Sequence, residues 1–125
     1  MISYERACAI CETYINSLVA SDLEAVLALY ADDATVEDPV GTEMKVGKEA
    51  LRGFYAVACE SVTGAEMLGA PRLAGNEIAF PFSITIGTGD KAMLMEIVDV
   101  FRFDDNEKVV SMRAYWGKEN MRPVG

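Results

Sequence analysis

The chain is predicted to fold as an α+β domain, a curved antiparallel sheet from its second half with one face covered by helices from its first half. Three observations predict it. Apolar residues recur at helical spacing as far as about residue 60, and from residue 77 they alternate with polar residues at period two. The alternating stretches are separated by Gly75-Asn76, Gly87-Thr88-Gly89-Asp90 and Asp104-Asp105-Asn106-Glu107, turns short enough for an antiparallel meander.

The elements follow in order. Residues 3–20 form a first helix, with Ala7, Cys11, Tyr14 or Ile15, and Leu18 on its inward stripe. Ser21-Asp22-Leu23-Glu24 has the form of a capping box, with Ser21 as cap, and opens a second helix whose buried side is Leu23, Val26, Leu27 and Tyr30. Residues 34–39 are β-prone until Pro39 ends them, and alternation puts Asp38 on the side of Val36 rather than Glu37. A third helix, residues 48–59, carries Leu51, Phe54, Tyr55 and Ala58 as its stripe, between Gly47 and Gly64.

The strands are sharper. Residues 77–86 put Ile78, Phe80, Phe82, Ile84 and Ile86 on one face, with Pro81 suggesting an edge or a bulge. The last strand offers Val110, Met112, Ala114 and Trp116. Between them, residues 93–103 align Met93, Met95, Ile97, Asp99, Phe101 and Phe103 on one face. Asp99 is the one carboxylate in that row. Ionised there it would cost several kcal/mol, so it either stays neutral with a raised pKa, reaches the sheet rim, or pairs with Arg102 or Arg113. A sheet this rich in inward Phe, Met and Ile, closed by three helices, can hold a cone-shaped apolar cavity with Asp38, Asp99 and Tyr14 as its polar groups.

Composition narrows the chemistry. The 125 residues suffice for one domain, residues 1–125. A net charge of −9 disfavours nucleic acid and anionic lipid as partners. No transmembrane run or signal-peptide grammar appears, so a cytoplasmic protein without membrane association is expected. Cys8, Cys11 and Cys59 leave an odd thiol, and the CxxC of Cys8 and Cys11 lies within the first helix, where it reads as packed thiols. There is no histidine, which removes histidine triads, histidine metal ligands and the commonest general base.

The stretch Tyr30-Ala31-Asp32-Asp33-Ala34-Thr35-Val36-Glu37-Asp38-Pro39-Val40-Gly41 and the strand Ile97-Val98-Asp99-Val100-Phe101-Arg102-Phe103-Asp104 closely resemble the bacterial delta-5-3-ketosteroid isomerases. The likeness extends through nearly the whole chain, including Tyr14 and the closing strand up to Trp116. It implies the nuclear-transport-factor-2-like cone and a homodimer, with no metal and no organic cofactor. In that family the aspartate matching Asp38 is the general base, and the residues matching Tyr14 and Asp99 hydrogen-bond the oxyanion. The neutral aspartic acid is the family's own well-known instance of pKa tuning, so for Asp99 that role is implied by the resemblance, whereas its place on an apolar face is read from strand parity.

Tyr30 and Tyr55 match tyrosines that extend the hydrogen-bond chain in some relatives, and are equally readable as core. Leu18, Phe54, Phe82, Ile84, Ile97, Met112 and Trp116 are the nominated walls for a flat apolar steroid, with plain core packing the alternative for each. Residues 60–69 carry no family signature and are expected to border the cavity mouth. The activity implied is transfer of a double bond from the delta-5 to the conjugated delta-4 position of a 3-oxo steroid. The alternatives are a non-catalytic binder of steroid-like ligands and a related cone enzyme such as a polyketide cyclase or dehydratase, enzymes that commonly use histidine.

Overall fold

Ser3 begins the first helix, α1 (Tyr4–Val19), by accepting the Arg6 amide on its hydroxyl at 3.1 Å. The computed structural model describes residues 1–124, and in it Ala7, Ile10, Cys11, Tyr14, Ile15 and Leu18 make the buried stripe of α1. The second helix, α2 (Leu23–Ala28), is shorter than expected and is capped by Asp22, whose carboxylate accepts the Ala25 amide. Ser21 does not cap it. Its φ is +56°, and its hydroxyl donates to the Cys59 carbonyl at 2.7 Å, tying the turn to the third helix. Tyr30 is not helical either, since α2 ends at Ala28 and Tyr30 opens β1 (Tyr30–Glu37).

After the two-residue β2 (Lys45–Val46), α3 (Lys48–Ser61) buries Leu51, Tyr55 and Cys59. Residues 60–69, which carry no family signature, hold the end of α3 and then directly a strand, β3 (Val62–Met67), which includes Gly64. There follow β4 (Arg72–Ala74), β5 (Glu77–Ile86), β6 (Met93–Phe103), β7 (Val109–Tyr115) and β8 (Met121–Pro123). The sheet order is β2-β1-β7-β6-β5-β3, with β4 also on β5 and β8 also on β6. Strands β4 to β7 form the predicted antiparallel meander, but β1 joins β7 in parallel, so the curved sheet is mixed. Period-two alternation fixes a face and says nothing about the direction of a neighbour.

Two details of strand parity follow from the register. Pro81 lies between the β5 segments that pair with β3 and with β4, where its carbonyl accepts from Leu68 at 2.9 Å. A bulge between Arg102 and Phe103 sets Phe103 opposite Val109 and Arg102 opposite Ser111. Val109, Met112 and Ala114 therefore face inward, and Val110 does not belong with them as the alternation suggested. The row on β6 stands as read: Met95, Ile97, Asp99, Phe101 and Phe103 are buried, and Val98 and Arg102 are exposed. No helix of the described residues is long and apolar enough to cross a membrane.

Candidate active site

The site lies where the inner face of the sheet meets α1 and α3. Asp99 is 1% exposed, with Phe80 of β5 and Ala114 of β7 opposite it. Its Oδ1 has no hydrogen-bond partner in the protein, and neither arginine weighed from the sequence reaches it: Arg113 pairs with Glu37, and Arg102 is exposed. Burial pushes the Asp99 carboxyl well above the usual carboxylate range, and the nearby charge of Asp38 pushes it further. That shift favours the neutral acid, the form that can donate a hydrogen bond.

Tyr14 is held in place by aromatic edges. Its ring meets Phe101 edge to face at 5.1 Å and Phe80 and Phe82 at 6.3 and 6.5 Å. Its hydroxyl is 2.9 Å from that of Tyr55, which in turn bonds the Tyr30 hydroxyl, so three buried phenols stand in a row. Burial raises all three well above the ordinary tyrosine value, which leaves them protonated.

Asp38 follows β1 on a segment fixed on both sides. Glu37 accepts from the Gly41 amide at 2.9 Å and from Arg113 at 3.2 Å, while the Val40 amide donates to Ala114 of β7. The indole N–H of Trp116, just beyond β7, donates to Asp38 Oδ1 at 2.7 Å. Burial raises the Asp38 pKa, opposed by that hydrogen bond and by Lys45. The two carboxyls differ in kind: Asp38 has a donor and a cation to support its charge, and Asp99 has neither.

Tyr14, Asp38 and Asp99 all line an inner cavity of about 50 Å³, whose other walls include Leu18, Phe54, Phe82, Ile84 and Ile97. It adjoins an outer cavity of about 480 Å³, with which it shares Asp38, Phe54, Ala58, Val62, Ile84 and Ile97. Residues 11–112 match the SnoaL-like domain family. The chain belongs to the SnoaL-like family. Its fold is the nuclear-transport-factor-2-like cone.

Within and around this SnoaL-like family, the chain is 36% identical over 108 residues to a steroid delta-isomerase of Nocardioides simplex, covering 86% of this chain and 87% of the relative. It is also 31% identical over 110 residues to the epoxide hydrolase LasB of Streptomyces lasalocidi, covering 83% of this chain but only 39% of that longer protein. Among solved structures, the epoxide hydrolase/cyclase-like enzyme SalBIII, described for pyran ring formation in the polyether salinomycin, superposes with a TM-score of 0.85 at 25% identity, covering 95% of each chain. These relatives are enzymes.

The SnoaL-like cone brings most of the nominated residues together and leaves two apart. Trp116 lines the outer cavity, and the other cavity walls named above were all nominated from sequence except Ala58 and Val62. Met112 lines neither cavity: it is fully buried opposite Val36 and Phe101, because parity selects the inner face and not the position along it. Tyr30 also stays outside, behind Tyr55. Among residues not nominated, Ile86 and Met95 share the parity of Ile84 and Ile97 and were readable on that ground. Ser61 continues the α3 stripe one turn past Ala58, beyond the limit read for that helix, whereas Val62 and Met121 lie in segments without a periodic signal. Among the described residues no group of three or more Cys, Asp or Glu side chains is arranged to hold a metal ion.

Proposed function

We propose that the chain is a steroid delta-isomerase that moves the double bond of a 3-oxo-delta-5-steroid into conjugation with the ketone. Asp38 removes the proton next to the carbonyl and returns it two carbons away, so one carboxylate serves both transfers. Tyr14 and neutral Asp99 donate to the dienolate oxygen, where fixed donors in a dry pocket act on developing charge without solvent rearrangement. Tyr55 and Tyr30 support the Tyr14 hydroxyl from behind. One observation carries the reading: Tyr14, Asp38 and Asp99 line a single inner cavity that opens into an apolar one. The similarity to the Nocardioides enzyme supports it.

The assay is conversion of 5-androstene-3,17-dione to its conjugated isomer, followed as new ultraviolet absorbance. Asp38→Asn is expected to lower turnover by about 10²- to 10⁴-fold, the usual worth of a general base. Absence of isomerisation by the wild type, or full activity in the variant, sinks the reading; a phenolic steroid that binds without any turnover selects a binding protein instead. The proposal includes a homodimer. Val98 and Tyr115, register partners on the outer sheet face, are 39% and 44% exposed. Sedimentation is expected to give twice the chain mass, and charged residues at both positions to give the monomer.

The similarity to LasB and SalBIII favours a second reading, epoxide opening. That reaction needs an acid on the ring oxygen and a base for the entering nucleophile, roles open to Asp99 and Asp38. Turnover of an apolar epoxide with no isomerisation of the steroid would select it.

A further inference from the structure

The outer cavity is almost wholly apolar, and its polar side chains are few. Asp38 stands at the junction with the inner cavity, and the indole N–H of Trp116 is already given to it. The remaining polar side chain is Ser61, on the last turn of α3, which lines the outer cavity and not the inner one. Polar groups are therefore ordered along the site: Tyr14 and Asp99 at the inner end, Asp38 at the junction, Ser61 outside.

The Ser61 hydroxyl has a fixed sense. Its proton is donated to the Val57 carbonyl at 2.8 Å, one helical turn back, and a carbonyl can only accept. What Ser61 offers the cavity is oxygen lone pairs. A ligand hydroxyl can donate to them and leave the Val57 bond intact. A ligand ketone can bond Ser61 only if that proton is taken from Val57.

We infer that Ser61 makes the chain selective for 3-oxo steroids bearing a hydroxyl, rather than a ketone, at the end of the ring system remote from the reacting carbonyl. The inference rests on the isomerase reading for the orientation of the ligand, with its oxygen on Tyr14 and Asp99. One net hydrogen bond at a half-buried site corresponds to about a 3- to 10-fold preference.

The experiment compares wild type, Ser61→Ala and Ser61→Thr on 17β-hydroxy-5-androsten-3-one and 5-androstene-3,17-dione, which differ only at the remote end. The wild type is expected to favour the hydroxyl compound in kcat/KM by about 3- to 10-fold, Ser61→Thr to keep the preference and Ser61→Ala to bring the ratio to about one. Equal ratios in wild type and Ser61→Ala overturn the inference. Binding of estradiol and estrone, phenols that cannot isomerise and differ at the same remote position, separates the two hypotheses. An estradiol preference that disappears in Ser61→Ala, in a protein that turns over neither substrate, upholds the selectivity and removes the catalytic reading. Isomerisation without any preference overturns the selectivity alone.

Discussion

The carboxyl of Asp99 ties the stability of the fold to pH. Its folded pKa lies well above the unfolded value, so the native state binds the proton more tightly. That contribution is complete below the unfolded pKa near about 4 and is lost as pH rises toward the folded value, at about 1.4 kcal/mol per pH unit between the two. Asp99→Asn cannot titrate and is expected to remove this slope, seen as a flatter pH dependence in urea unfolding. At Asp38 the sign concerns activity. In the proposed reaction Asp38 must be ionised to act as the base, and the Trp116 indole favours the ionised form. Trp116→Phe is expected to move the acid limb of the pH–rate profile to higher pH, lowering the rate on that limb; an unmoved limb would mean that the indole only fills space. Parity found Asp99 because the six alternating positions lie on one strand. The Asp38 to Trp116 bond was not legible, since its partners are 78 residues apart and each lies beyond the end of its strand.

At the scale of elements, legibility followed the strength of the local signal. The long strands β5 and β6 appear with the limits read from alternation, and α1 within one residue at each end. By contrast β3 (Val-Thr-Gly-Ala-Glu-Met) mixes small and polar residues because only Val62 is buried while Thr63 and Glu66 are exposed, and it is held by pairing with β5. In β7 a single bulged residue moved one position off the inward face. The junction of β1, β2 and α3 depends on Gly47, whose φ of +89° is costly for other residues and whose amide donates to Ala34 of β1 at 2.9 Å. Gly47→Ala is expected to cost about 1–3 kcal/mol from backbone strain alone, because a Cβ there meets nothing closer than the Asp32 carbonyl at 4.0 Å. A lower melting temperature with an unchanged KM is the outcome that checks it.

Across the whole molecule, the site draws on residues far apart in the chain: Tyr14 from α1, Asp38 after β1, Tyr55 from α3, Asp99 from β6 and Trp116 after β7. The sheet supplies one wall and the helices the other, which is why each residue could be assigned a face from sequence while their meeting at one cavity could not. Membership of such a set is a property of the assembled cone. The row of phenols shows what that assembly adds. Tyr55 has one proton and two hydroxyl neighbours, so it gives to one and receives from the other. The row can run in two senses, and in the proposed reaction an oxyanion held by Tyr14 would permit only the sense in which every proton points toward it. Tyr30, which lines neither cavity, then ends the row as pure donor. In that complex the row would store one bit, written by the occupant of the cavity and readable at a side chain that the occupant never touches.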